Sequence, residues 1–238
     1  MNIVIIIPTY NEKDNIKRLI HELQDIFKTL PHDMKILFVD DNSPDDTANE
    51  IRGLMDNYDN IQIIQGEKKG LGKAYIRGMK YAIYELKADA VMEMDADFSH
   101  KPSDVPRLVN ELAHYDFVIG SRYVAGGKIP DEWHWLRKLN SRVGNFAARY
   151  IAALYKIQDC TAGFRAINAD LLKKINFEDI KVDGYGFQVS LLHKAVSNGA
   201  RIREIPVIFE DRKYGISKLG ISDIFHFIIE VWGIRFKK

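Results

Sequence analysis

Residues 91–100 read VMEMDADFSH, an apolar run that ends in two aspartates one residue apart, followed by a serine and a histidine. Side chains on a strand alternate between its faces, so a strand continuing here would put Glu93, Asp95 and Asp97 on one face. Three buried carboxylates repel one another and are costly to desolvate. The strand is therefore predicted to end near Met94, with the aspartate pair on the turn at its exit. A divalent cation is the usual reason to bring two such carboxylates together.

The composition is typical of a globular protein in a reducing compartment. Of the 238 residues, 46% are hydrophobic and 28% charged, and the formal net charge of +1 gives no reason to expect a nucleic-acid partner. The single cysteine, Cys160, excludes an internal disulfide. The apolar start at 2–7 has no basic segment before it and is interpreted as a strand rather than a signal peptide. No apolar run reaches the ~18 residues of a membrane span, so we expect a cytoplasmic protein, soluble or peripheral at the cytoplasmic face of a membrane.

Strand-like and helix-like segments alternate over the first 120 residues, which predicts an α/β, Rossmann-like fold with a mostly parallel sheet flanked by helices. Asn11 is predicted to cap the first helix, and Ser43, followed by Pro44, the second. The predicted strands are 2–7, 35–39, 61–64, 90–94 and 117–119, and helices at 71–86 and 102–112 are among those between them.

The rhythm changes after Gly120, and we divide a single domain, residues 1–238, at that point. The second half, 121–220, is predicted to contain a long helix at 133–154, a helix at about 185–198, and strands at 162–167 and 202–209. Residues 221–238 are predicted to contain an amphipathic helix. Its apolar stripe, with Trp232 and nearby basic residues, suits a helix at an anionic membrane interface, and core packing is the alternative.

Four polar clusters follow predicted strands, at 8–12, 40–45, 95–100 and 121–127. In open α/β sheets the ligand lies beyond the carboxyl ends of the strands, so the clusters predict an active site at this edge. A dinucleotide is disfavoured, because the turn after the first strand reads PTYNE and lacks a GxGxxG pattern.

Nine sequence blocks occur in the order typical of the nucleotide-sugar glycosyltransferases of family 2. The last four resemble the polyprenol-phosphate mannosyl- and glucosyltransferases, the dolichol-phosphate mannose synthase group. The likeness runs from about residue 2 to residue 222. The blocks are PTYNE (8–12), VDDNSPDDT (39–47), KKGLGKA (68–74), DADFSHKP (95–102), GSRYVAGG (120–127), WLRKLNSRVGN (135–145), DCTAGFR (159–165), GYGFQ (184–188) and DRKYGISKLG (211–220).

The resemblance implies a GT-A fold, with residues 1–120 binding a nucleotide sugar and 121–220 binding the acceptor. It implies that Asp95, Asp97 and Ser99 hold Mg²⁺ or Mn²⁺, and that Asp97, Arg122 and Arg212 are catalytic. The implied nucleotide-binding residues are Pro8, Tyr10, Glu12, Asp41, Lys69, Asp95 and Ala96. The implied ligands of the acceptor phosphate are Arg122, Arg137, Ser141, Arg212 and Lys218.

The chemistry of such a transfer agrees with these residue types. A metal on two carboxylates neutralises the charge on a departing nucleoside diphosphate, and hard oxygen ligands suit Mg²⁺ or Mn²⁺. A phosphate monoester is ionised near neutral pH, its second pKa being about 6, so it can attack without a general base. Arginines are needed to orient it, and Arg165 is a further candidate. Asp159 and Asp183 could act as bases, although Asp159 is better suited to organising its own turn.

Two positions depart from the group. Ser190 stands where many relatives carry a glutamate, which weakens a carboxylate-base mechanism there. Ser99 stands where many have glutamine, and it could reach the metal directly or through water.

The favoured reading is an inverting transfer of mannose from GDP-mannose to a polyprenyl or dolichyl phosphate at a membrane surface. UDP-glucose is the competing donor, because Asp41 could bond either base. A family 2 enzyme with a protein or glycan acceptor is a second alternative, and a non-catalytic nucleotide-sugar-binding regulator is a third. The helix at 133–154 is a further element expected to face the membrane.

Overall fold

The computed structural model describes residues 1–180, 184–210 and 231–233, and it is built on a seven-stranded sheet. The predicted helix at 221–236 lies almost wholly outside the described residues, as does the polar segment 211–220. The strands are β1 (Asn2–Thr9), β2 (Asp33–Asp40), β3 (Ile61–Gln65), β4 (Ala90–Glu93), β5 (Phe117–Ser121), β6 (Arg165–Asn168) and β7 (Ile202–Pro206). The α-helices are α1 (Lys13–Phe27), α2 (Thr47–Met55), α3 (Leu71–Tyr84), α4 (Val105–Glu111), α5 (Trp135–Ile151), α6 (Ala169–Lys173) and α7 (Gly184–Ser197).

The strand order is β3-β2-β1-β4-β6-β5-β7, and the first four strands in this order are parallel. The short strand β6 lies antiparallel between β4 and β5, while β7 is parallel to β5. The expected mostly parallel sheet flanked by helices is therefore confirmed. Because β4 and β5 are both antiparallel to β6, the two strands run in the same direction and their carboxyl ends lie at the same edge of the sheet. This arrangement places the turns at 95–100 and 121–127 near each other.

Apolar side chains of β1 alternate between two cores, one on each face of the sheet. Val4 and Ile6 pack with α3 and α7, whereas Ile3, Ile5 and Ile7 pack with α1 and α4. A strand covered on both faces needs a continuous apolar run, which is what residues 2–7 supply.

The predicted starts of the first two helices are wrong, although both helices exist. Helix α2 begins at Thr47, and Ser43 lies in the loop before it. The Ser43 hydroxyl donates to Asp40 Oδ1 at 2.5 Å and accepts a hydrogen bond from the Asn11 amide at 3.1 Å, so it joins two loops rather than capping a helix. Asn11 has a φ of 61° and precedes the residue at the capping position of α1, Glu12.

Between residues 121 and 210 the predicted elements are present; α7 matches the predicted helix at about 185–198, and the other three are shorter than predicted. Helix α5 starts at Trp135, β6 at Arg165, and β7 ends at Pro206, where an isolated bridge between Lys128 and Ile208 continues the pairing. Within the described ranges, no helix combines the length and apolar character needed to cross a membrane.

Candidate active site

The loops after β1 and β2 are joined by hydrogen bonds at the carboxyl edge of the sheet. Asp40 is fully buried and accepts a hydrogen bond from the Thr9 hydroxyl at 3.0 Å, so of the adjacent residues Asp40 and Asp41 the first has a structural role. The Asp41 amide donates to the Thr9 carbonyl at 3.1 Å. Asn11 and Asn42 have φ values of 61° and 53°, which asparagine adopts more readily than most residues. The loops are thus held in defined conformations.

The residues implied to bind the nucleotide lie along these loops and the 65–70 segment. Tyr10 is 40% exposed, and Lys68 Nζ lies 3.2 Å from its ring centroid. Asp41 is mostly buried and forms an ion pair with Arg77, a residue of α3. Lys69 is exposed and pairs with Glu67 at 2.8 Å. Pro8 and Glu12 are half-buried, and Ala96 is buried on the neighbouring turn.

The carboxylate turn after β4 has the position that the sequence indicates. Strand β4 ends at Glu93, and Asp95 and Asp97 are both half-buried beyond it. The Asp95 amide donates to Nδ1 of His100 at 3.0 Å, which fixes the turn and assigns the proton of a neutral imidazole to Nε2. Phe98 has a φ of 62°, an unusual conformation for a bulky residue.

The Asp95 carboxylate is held by Tyr75, a residue of α3 whose ring is itself held by stacking. The Tyr75 hydroxyl donates to Asp95 Oδ1 at 3.2 Å, and its ring stacks on Phe187 at a centroid distance of 5.9 Å. Burial, together with the nearby Asp95 and Glu93 carboxylates, raises the pKa of Tyr75 well above its usual value, so the hydroxyl keeps its proton. Tyr75 is not among the residues that the sequence indicates, because its partner is twenty residues away and no local pattern connects the two.

The residues of this turn suit a hard divalent cation that is shared with a substrate. Mg²⁺ and Mn²⁺ are commonly held by one or two carboxylates together with phosphate oxygens. No group of three or more histidine, cysteine, aspartate or glutamate side chains able to hold a metal occurs among the described residues. The Ser99 hydroxyl is buried and has no hydrogen-bond partner in that part of the chain, so an oxygen atom remains uncommitted beside the aspartate pair.

Glu93 and Arg165 form a buried pair between β4 and β6. Both side chains are fully buried, Arg165 Nε lies 3.8 Å from Glu93 Oε2, and the guanidinium donates to the carbonyls of Cys160 and Gln188. Burial raises the pKa of Glu93 to about 7, and Arg165 opposes that rise. The proposal of Arg165 as a phosphate ligand is not supported by this position, because its guanidinium is enclosed in the core.

Arg122, the first residue implied to hold the acceptor phosphate, forms a buried ion pair with Asp159. Its Nε and Nη2 donate to Asp159 Oδ2 and Oδ1, each at 2.8 Å, and its amide donates to Oδ2 at 3.0 Å. Burial would raise the pKa of Asp159, but Arg122 outweighs this and holds it below the usual value. Asp159 is therefore an ionised partner of Arg122, which makes it a poor general base.

Aromatic side chains connect Arg122 to the other described acceptor residues and to the carboxylate turn. Phe209 lies beside the Arg122 guanidinium, the His100 ring and the Trp133 ring, at 5.6, 5.7 and 5.8 Å respectively. Arg137 lies over Trp133, with Cζ 3.8 Å from the ring centroid. Phe209 is not among the residues that the sequence indicates, because only the folded chain shows which rings surround it.

Ser141 joins the same cluster from α5. Its hydroxyl lies 2.7 Å from the Tyr123 hydroxyl, and the Tyr123 ring lies 5.5 Å from the Arg122 guanidinium. The structure thus brings Arg122, Arg137 and Ser141 to one side of the carboxylate turn. Arg212, Lys218 and Asp183 lie outside the described residues.

A cavity of about 660 Å³ lies between α3 and the turn at 177–179. Arg77 and Lys73 are among its lining residues, and the residues implied by the resemblance to bind metal or nucleotide are not among those described there. The implied site lies instead at the edge between the four loops.

An open α/β sheet with a carboxylate turn and an arginine cluster at its carboxyl edge is the arrangement expected of a nucleotide-sugar glycosyltransferase. The chain belongs to glycosyl transferase family 2, whose model matches residues 4–176. It is 37% identical over 237 residues to an undecaprenyl-phosphate mannosyltransferase from Micrococcus luteus, covering 98% of this chain and 95% of that protein. It is 36% identical over 239 residues to a polyprenol monophosphomannose synthase from Mycolicibacterium smegmatis, covering 98% of this chain and 87% of that protein.

Solved structures show the same fold at lower identity. Glucosyl-3-phosphoglycerate synthase from Mycobacterium tuberculosis in complex with phosphoglyceric acid has a TM-score of 0.68 and 18% identity, covering 98% of this chain and 80% of that chain. The same enzyme in complex with Mn²⁺ and UDP-glucose gives 0.66 and 18%, covering 98% and 77%. The likeness confirms the expected GT-A-like fold.

Proposed function

We propose that this enzyme transfers one mannose residue from GDP-mannose to the phosphate of a polyprenyl lipid. The observation that carries the proposal is the cluster of Arg122, Arg137 and Ser141 beside the carboxylate turn, linked to it through Phe209 and His100. Anionic groups on both substrates require such an arrangement, with cations for the acceptor and a metal for the donor. The names of the two curated relatives support mannose and a polyprenyl phosphate as the substrates.

On the donor side, the nucleoside is assigned to Pro8, Tyr10, Glu12, Asp41, Lys69 and Ala96. Asp95 and Asp97, with Ser99 as a further oxygen, are assigned to a divalent cation, either Mg²⁺ or Mn²⁺. Such a cation supplies Lewis-acid stabilisation of the diphosphate as it leaves. The hydrogen bond from Tyr75 and the fixed turn geometry hold Asp95 in place before any ligand arrives.

On the acceptor side, arginines orient a phosphate that is already ionised. We assign its binding to Arg122, Arg137 and Ser141, together with Arg212 and Lys218. A phosphate oxygen attacks the anomeric carbon from the face opposite the diphosphate, the bond to the diphosphate breaks, and the configuration inverts. No general base is needed, which agrees with the pairing of Asp159 to Arg122 and with the buried Ser190 at the position of the relatives' glutamate.

Transfer of radiolabelled sugar into extracted lipid tests the proposal. We expect label from GDP-mannose in a polyprenyl phosphate with Mn²⁺ or Mg²⁺, and none with EDTA. Asp97→Asn should lower the rate at least ~100-fold, because a metal contributes several kcal/mol of transition-state stabilisation. Asp56→Asn, at an exposed position after α2, is the matched control and should leave the rate unchanged.

Other outcomes of this assay distinguish the alternatives. Label only from UDP-glucose would keep the mechanism and change the donor. No label from either donor, in folded protein that binds a nucleotide, would favour another acceptor or a non-catalytic regulator.

A further inference from the structure

We infer that Arg77 selects the nucleobase of the donor, acting with Asp41 to recognise a ring carbonyl next to a ring N–H. This inference rests on the proposed function, because it concerns the same donor site. Arg77 lies on α3 and is absent from the set of residues that the family resemblance implies. Its guanidinium extends to the carboxyl edge of the sheet, where the loops after β2 and β3 meet.

The guanidinium is held on two sides. Arg77 Nη2 donates to Asp41 Oδ1 at 2.7 Å, and the side chains of the two residues are 28% and 10% exposed. On its other side it lies against the backbone of Gly66, where an added Cβ would come within 2.6 Å of Nη1. Glycine therefore gives the guanidinium room to lie flat beside the end of β3.

The pair still has hydrogen-bonding capacity towards a ligand. Asp41 uses Oδ1 for Arg77 in the described hydrogen bonds, and a carboxylate oxygen can accept more than one. Arg77 Nε is buried and has no hydrogen-bond partner among the described residues. The Arg77 side chain as a whole is 28% exposed, so a ligand can reach part of it. A carboxylate and a guanidinium side by side present an acceptor next to a donor.

An acceptor next to a donor complements guanine and uracil but not adenine or cytosine. Guanine and uracil each carry a ring N–H beside a ring carbonyl, so the carboxylate can accept from the N–H while the guanidinium donates to the carbonyl. Adenine and cytosine carry an unprotonated ring nitrogen beside an amino group, which reverses both roles. With these bases the carboxylate would face an acceptor nitrogen and the guanidinium would face a donor amino group, so binding is strongly disfavoured.

Titration calorimetry of GDP, UDP and ADP in the presence of Mn²⁺ tests the inference. The wild-type protein should bind GDP or UDP at least tenfold more tightly than ADP, and which of the two binds identifies the donor base. Arg77→Met keeps the aliphatic stem and should reduce that preference about tenfold or more, since a hydrogen bond to a charged group is lost. Lys80→Met, one turn further along α3 and paired with Glu178, should keep it.

A second variant perturbs the guanidinium without removing it. Gly66→Ala places a Cβ against Nη1, and only a flexible side-chain end must move, so the fold should be retained while the preference falls. This variant decides the matter if circular dichroism shows that Arg77→Met does not fold.

Two results would overturn the inference while leaving the proposed function intact. One is that Arg77→Met and Gly66→Ala keep the wild-type preference for GDP or UDP over ADP. The other is that the affinity for all three nucleotides falls equally, which indicates a structural role for Arg77. Wild-type protein that binds none of the three nucleotides would instead contradict the proposed function itself.

Discussion

Individual charged residues differ in role according to their burial, and two arginine–aspartate pairs show this clearly. Arg122 and Asp159 form a bidentate pair in which the side chains are 8% and 0% exposed. Arg201 and Asp116 form a pair of nearly the same geometry, with side chains 64% and 28% exposed. Removing one partner leaves an uncompensated charge, which is costly only where water cannot reach it.

Asp159→Asn should therefore lower the free energy of unfolding by about 3–5 kcal/mol, whereas Asp116→Asn should cost at most about 1 kcal/mol. Urea denaturation of both variants at pH 7 measures the difference. Equal losses at the two sites would contradict the assignment of Asp159 as the buried, ionised partner.

The stability difference between wild type and Asp159→Asn should depend on pH. Because Arg122 lowers the pKa of Asp159, the pair's contribution is complete above the unfolded pKa of about 4 and is lost as the pH falls through the lower native value. The stability gap between wild type and Asp159→Asn should accordingly be constant from pH 6 to 8 and shrink below about pH 4.

Helix α3, which carries both Tyr75 and Arg77, packs closely against the sheet. A Cβ at Gly78 would lie 2.5 Å from Ile6 Cγ2 and 2.9 Å from Val39 Cγ2, so the helix backbone rests directly on β1 and β2. Glycine is needed here for close approach rather than for backbone conformation.

Gly78→Ala should destabilise the protein by about 1–3 kcal/mol, the usual cost of overpacking a core. Gly53→Ala on α2 is the control, because its Cβ would meet nothing within 4 Å, and it should be neutral or stabilise by up to about 1 kcal/mol. Urea denaturation distinguishes the two, and a neutral Gly78→Ala would show that α3 can shift away from the sheet.

At the scale of the whole molecule, helix α5 exposes an apolar face to the surface of the described part of the chain. Five side chains of α5 spaced three or four residues apart are 44–63% exposed, and basic residues including Lys138 and Arg142 lie among them. The face begins beside Arg137 and Ser141, which are proposed to bind the acceptor phosphate. The five residues are Trp135, Leu139, Val143, Phe146 and Tyr150.

Replacing Leu139 and Phe146 together by glutamine should lower binding to vesicles containing anionic lipid at least about tenfold, because two apolar side chains lose their insertion energy. Stability should change by less than about 1 kcal/mol, since both are exposed. Vesicle sedimentation measures the binding, and Tyr84→Gln, at an exposed position on α3, is the control. Undiminished binding in the double variant would assign membrane contact to another surface.

The sequence alone determined the order of the strands, the order of the helices other than the short α6, and the end of β4 before the aspartate pair. These features depend on local patterns, namely apolar periodicity and the cost of burying carboxylates together. It misplaced the helix caps. The Ser43 hydroxyl could either cap a helix or join two loops, and its hydrogen bonds with Asp40 and Asn11 form only because the neighbouring loop lies beside it in the folded chain.

Only the tertiary structure decided which distant groups meet. The antiparallel β6 places Arg165 against Glu93, and the loops before it bring Asp159 to Arg122, across 37 residues of chain. The same holds for Arg77 with Asp41 and for Phe209 with its three neighbours. Such pairings arise from burial and charge neutralisation in the folded chain, and no local sequence pattern encodes them.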